Sequence, residues 1–155
     1  MSQILDRPEH RPALATRLAA RPAVTAARLL AALPPRRIVA VLSLLRRGAR
    51  PATYEEALAA RRDVTAASTS CAGNYCLPRS LAVVLLCRSR GYWPTWCTGV
   101  RTPPFAAHAW VQVDGRPVGE GSDSVGYHLM LAVPPLPDRS RQPVTDEPDT
   151  ALTHP

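Results

Sequence analysis

Apolar residues recur along the first third of the chain at helical spacing. From Ala13 to Leu33, Leu14, Leu18, Leu29, Leu30 and Leu33 stand among alanines and arginines, which predicts helix. Pro22 falls inside that stretch and is expected to divide it, and Pro34-Pro35 ends it. Arg36 to Arg47 reads as a second helix with Ile38, Val41, Leu42 and Leu45 on one face, closed by Gly48. Thr53 and Glu56 form a capping-box signature that opens a third helix to about Arg62. The arginines of this helical layer are expected to form its solvated outer face.

The pattern then changes. Cys71-Ala72-Gly73-Asn74-Tyr75 is a small-residue loop, and Leu77 to Arg90 reads as a helix stopped at Gly91. Pro78 suits a first helical turn, where its missing N–H costs nothing. Leu81 to Cys87 is apolar almost all round, the mark of a buried central helix. Phe105 to Val113 alternates, with His108, Trp110 and Gln112 on one face of a strand, and Asp114-Gly115 signals a hairpin. Val118 to Glu120 is expected to begin the returning strand, and Tyr127 to Val133 to supply another. Helices, a buried helix and then antiparallel strands predict an α+β fold with a small antiparallel sheet.

The expected organisation is a flexible segment 1–12, one domain over 13–133 (helical part 13–66, core 70–133) and a disordered proline-rich tail at 134–155. A chain of 155 residues, 46% hydrophobic, can bury a core without disulfides. No apolar stretch approaches the roughly 20 residues that span a membrane, and the N-terminus lacks the apolar core of a secretory signal. These features point to the cytoplasm, with no membrane association and with reduced thiols. The net charge of +7 comes from 19 basic residues, all arginine, in a chain with 17 prolines. That reads as a bias of the whole chain, without the aromatic interleaving or motif of a nucleic-acid binder. A basic surface equally suits an acidic protein or peptide partner.

The chemistry concentrates in three residues. Cys76 stands at a helix start, where free N–H groups and the positive dipole end favour a thiolate and suit an oxyanion. His108 lies on a later strand between alanines that leave room for a thiol. A carboxylate that orients the imidazole would complete a cysteine nucleophile system. Asp114 is about 20 Å along the strand from His108, too far, and serves as a turn former. Glu120 is level with Ala109 or Trp110 on the return, and a two-residue hairpin loop would put it on the face opposite His108. Glu120 therefore requires a longer loop or a bulge, and Asp123 is the fallback. Among other thiols, Cys87 is expected in the core, Cys97 in strand packing, and Cys71 as a second reactive thiol. A zinc site from Cys71, Cys76, Cys97 and His108 matches no standard spacing, and no Cys-x-x-Cys pair exists. Ser80 follows no hydrolase elbow pattern and reads as a helix-interior hydroxyl.

Cys76-Leu77-Pro78-Arg79-Ser80-Leu81-Ala82, Gly99-Val100-Arg101 with Phe105, His108-Ala109-Trp110-Val111 and Asp114-Gly115 together resemble the leader peptidases of lasso peptide biosynthesis. These enzymes belong to the transglutaminase-like branch of papain-type cysteine enzymes. The resemblance covers about residues 70–133. It implies Cys76 as nucleophile, His108 as general base and Glu120 in a position where the family usually has aspartate. Gln112 stands where glutamate is common. The implied reaction is hydrolysis of one peptide bond in a ribosomally made precursor peptide, with no metal or cofactor. The implied partners are that precursor, a separate leader-recognition protein and an ATP-dependent lasso cyclase. A separate recognition protein is expected because no strand-rich domain precedes residue 70. Two other readings remain: an acyltransferase that sends the thioester to an amine, and a non-catalytic binding module with structural Cys76 and His108. Asn74 or Tyr75 is a candidate oxyanion donor.

Overall fold

A computed structural model describes residues 14–68, 75–121 and 126–137. Cys71, Asn74 and Asp123, each a candidate above, lie outside these residues, as do the segment 1–12 and the tail beyond 137. The fold is α+β, with four described helices and a small antiparallel sheet.

Helix α1 spans Leu14–Ala31 and runs through Pro22 without breaking. Proline in a helix interior costs about 3 kcal/mol, but Ala20, Val24, Ala27 and Leu30 on either side of it are buried in the core. Tertiary packing overrides the local breaker, so the expected division at Pro22 does not occur. Helix α2 spans Pro35–Leu45, with Pro35 at its first turn and Ile38 and Leu42 buried. Strand β1 is the pair Arg50–Pro51, and helix α3 spans Tyr54–Ala67. Both bonds of the capping box form at α3: Glu56 N–H donates to Thr53 Oγ1 at 3.3 Å and Thr53 N–H to Glu56 Oε2 at 3.0 Å.

Helix α4, Cys76–Ser89, is the centre of the molecule. Leu81, Ala82, Val83, Val84, Leu86 and Cys87 are all buried, because α1 and α3 cover one side and strand β4 of the sheet the other. Gly91, at φ +89, turns the chain out of α4 into the short strand β2, Tyr92–Trp93. Strand β2 pairs in parallel with β1 and ties the helical layer to the sheet. The sequence pattern gave no sign of this two-residue pairing, which is too short to carry a period.

The sheet follows as β3 (Thr95–Arg101), β4 (Ala106–Val113), β5 (Arg116–Pro117) and β6 (His128–Val133), in the order β5-β4-β3-β6. Trp96 at the start of β3 is buried, and its indole N–H donates to Ser80 Oγ at 3.1 Å. Ser80 in turn donates to the Leu77 carbonyl at 3.0 Å. This relay fixes the first turn of α4 against the sheet, and with it the position of Cys76. The register between β3 and β6 slips between Thr98 and Gly99. At Gly99 a Cβ would meet the His128 carbonyl oxygen at 2.6 Å and the Trp110 ring at 3.0 Å, so only glycine admits the close approach.

The hairpin is tighter than Glu120 was expected to need. Val113 pairs with Arg116 across a two-residue turn, Asp114 at φ 49 and Gly115 at φ 76. The returning strand ends at Pro117, so the strand expected over Val118–Glu120 does not form. Val118 N–H still bonds the Val111 carbonyl, and Gly119 at φ +60 then turns the chain off the ladder.

Candidate active site

That turn at Gly119 resolves the register problem. Glu120 reaches His108 by leaving the sheet, not by a longer loop or a bulge. His108 Nε2 lies 3.1 Å from Glu120 Oε2, and the Glu120 side chain is only 5% exposed. Cys76 hydrogen-bonds the same imidazole from the helix start.

Strand geometry explains how the thiol comes to the strand edge. Val111 offers its carbonyl to Val118 on the β5 side. Residues two apart on a strand present their backbone groups to the same side, so the Ala109 N–H points to that edge too. The short β5 leaves this N–H uncovered by the ladder, and Cys76 Sγ takes it as a hydrogen bond. Thiol, imidazole and backbone donor thus meet where α4 begins and the β4 edge opens. Tyr75, the residue before the helix, makes no side-chain cap, and no acid occupies the first turn.

The electrostatics follow from these contacts. The hydrogen bond with His108 pulls the Cys76 pKa below its ordinary 9.0, against burial, with the Ala109 N–H and the charges of His108 and Arg79 assisting. The His108 pKa is raised to about 9 by its bond to Cys76 and then by Glu120, again against burial. Burial alone would raise the Glu120 carboxyl, but the His108 bond and the Arg61 and Arg79 charges outweigh it and hold it low. Each of the two groups, Cys76 and His108, therefore shifts the other towards its charged form. Burial pushes the Cys87 and Cys97 thiols up to about 12, which leaves both inert.

The structure brings together Cys76, His108 and Glu120, and it adds residues that the sequence pattern did not single out. Arg61 Nη1 on α3 is 2.6 Å from Glu120 Oε1, with its side chain 17% exposed. Arg61 was expected on the solvated face of the helical layer; it faces inward instead. The available signal was its place beside Ala57, Ala60 and Val64, the buried stripe of α3. Arg79 Nη2, one turn into α4, lies 3.9 Å from the same oxygen. On the sheet face, the His108 ring stacks on Trp110 with centroids 5.8 Å apart and meets Tyr127 at 5.3 Å. Trp110 N–H bonds Gln112 Oε1 at 3.2 Å, which places His108, Trp110 and Gln112 on one face as the alternation predicted. Arg101 lies over the Tyr127 ring.

The cysteine at a helix start and the histidine on an antiparallel strand both fall within the span of one matching family model. The transglutaminase-like superfamily model covers residues 20–132, so the chain belongs to that superfamily. No curated protein and no solved structure matches the chain.

Proposed function

We propose that this protein is a cysteine peptidase that removes the leader from a ribosomally made lasso peptide precursor, acting in the cytoplasm with a separate leader-recognition protein. The observation that carries the catalytic part is the contact of Cys76 with His108, itself backed by Glu120. The Cys-Leu-Pro-Arg-Ser-Leu-Ala and His-Ala-Trp-Val blocks support the particular substrate.

In this reading the Cys76 thiolate attacks the carbonyl carbon at the leader–core junction. The electron pair of the carbonyl moves to its oxygen, and the N–H groups at the start of α4 face that oxyanion. Collapse breaks the C–N bond while the His108 imidazolium gives its proton to the departing amine. That amine is the new N-terminus of the core, which an ATP-dependent cyclase would then close into a ring. His108, now neutral, takes a proton from water as the water attacks the thioester, and the leader leaves as a carboxylic acid with Cys76 restored. Glu120 keeps the imidazole oriented and balances its charge through both steps.

The test mixes the protein with a precursor and its recognition protein, beside Cys76→Ala, and weighs the products. Cleavage at one bond, absent in the variant, is expected. An intact precursor with folded wild type and both partners present would sink the reading. Membership of the transglutaminase-like superfamily favours a second reading, in which an amine takes the acyl group. A product whose mass equals leader plus amine, less water, identifies that reaction.

A further inference from the structure

Helix α3 presents Tyr54, Leu58 and Arg61 at spacings of four and three, one continuous face. All three meet the short segment that carries Glu120. Tyr54 Oη accepts the Gly119 N–H at 3.4 Å. A Cβ at Gly119 would stand 3.1 Å from Leu58 Cδ1 and 2.7 Å from Arg61 Nε, so the arginine stem lies directly on the glycine backbone. Beyond it, Arg61 Nη1 holds Glu120 Oε1 while Oε2 is left for His108. Gly119, at φ +60, and Gly121 flank the glutamate and give its backbone little stiffness of its own. A glutamate also has one more rotatable bond than an aspartate in which to lose its aim.

We propose that Arg61 is the positioning residue of the site: it fixes the Glu120 carboxylate against His108, so that the helical layer, not the hairpin, aims the acid. Its role is the same whichever acyl acceptor the thiol serves. Arg79, at 3.9 Å from the same oxygen, adds charge from a longer range.

Two roles for Arg61 predict opposite signs. If it acted only as a nearby positive charge, removing it would favour the imidazolium and raise the His108 pKa. If it positions Glu120, removing it releases the carboxylate from His108, and the pKa falls. The experiment follows the His108 ring by NMR titration in a Cys76→Ala background, where the histidine titrates without its thiol partner. Cys76→Ala/Glu120→Gln gives the value with no carboxylate. Cys76→Ala/Arg61→Gln is expected to fall towards that value by about one pKa unit, a tenfold change in the protonation equilibrium. Arg61→Met keeps the stem that packs on Gly119 and should show the same fall if Arg61→Gln does not fold. A His108 pKa unchanged or raised in a folded variant overturns the proposal. Neither result depends on the substrate, so failure here is separate from failure of the peptidase reading.

Discussion

At the scale of single residues, the site is a set of half-buried groups that favour one another's charged forms. Cys76 and His108 stabilise each other as ions: the thiol is drawn down chiefly by the imidazole, and the imidazole is drawn up to about 9 chiefly by the thiol. In the proposed mechanism Cys76 is protonated below its depressed pKa, and above about pH 9 the His108 imidazolium that would protonate the leaving amine is lost. Catalysis should therefore follow a bell in pH, with its basic limb near 9 and its acid limb below the ordinary thiol range, read from kcat/KM. His108→Ala removes the main cause of the thiol's shift. The rate of Cys76 alkylation by iodoacetamide at pH 7 should fall, because a thiol without its imidazole partner is ionised less. An unchanged rate would mean that the helix start alone makes the thiolate. Ser80 is a different kind of residue, a polar side chain buried within the core helix. Ser80→Ala leaves the Trp96 N–H buried without a partner and should cost about 1–3 kcal/mol in chemical denaturation.

Elements show what was legible in the sequence and what was not. Cys76 at a helix start and His108 on an alternating strand were legible because helix caps and strand periods are local signals. The Thr53–Glu56 box was legible for the same reason. Glu120 was legible as a candidate by its nearness to His108, but its route was not, since a register argument assumes that the strand continues. Gly119 at φ +60 breaks that assumption, and a lone glycine in sequence does not announce the sign of its φ. Arg61 was hidden by composition, for one arginine among so many carries no mark of facing inward. The capping box also bears a prediction. Thr53→Ala should cost about 1 kcal/mol of stability. The bond from Arg50 is the main reason that Glu56 falls to a pKa of about 2 from 4.5, with the Thr53 backbone next. A carboxyl lowered on folding stabilises above its unfolded pKa, and that contribution fades as pH falls from 4.5 towards 2. Glu56→Gln should flatten the loss of thermal stability across that window, by a modest amount because the pair lies at the surface.

Across the whole molecule, the site exists only while three layers are docked. Helix α3 brings Arg61, helix α4 brings Cys76 and Arg79, and the sheet with its exit loop brings His108 and Glu120. No one of these layers carries Cys76, His108 and Glu120 together, and the buried α4 between them makes up much of the core. Thiol reactivity is then a reporter of tertiary structure. In the folded protein Cys76 should alkylate readily at neutral pH while Cys87 and Cys97, both pushed up to about 12 by burial, stay protected. In urea, Cys87 and Cys97 should become reactive and Cys76 should lose its advantage over the same concentration range. That range should coincide with the loss of helical circular dichroism, as a two-state domain requires. Loss of the Cys76 advantage well before the helices melt would show instead that the sheet undocks from α4 as a separate step, and the site would then be the least stable part of the fold.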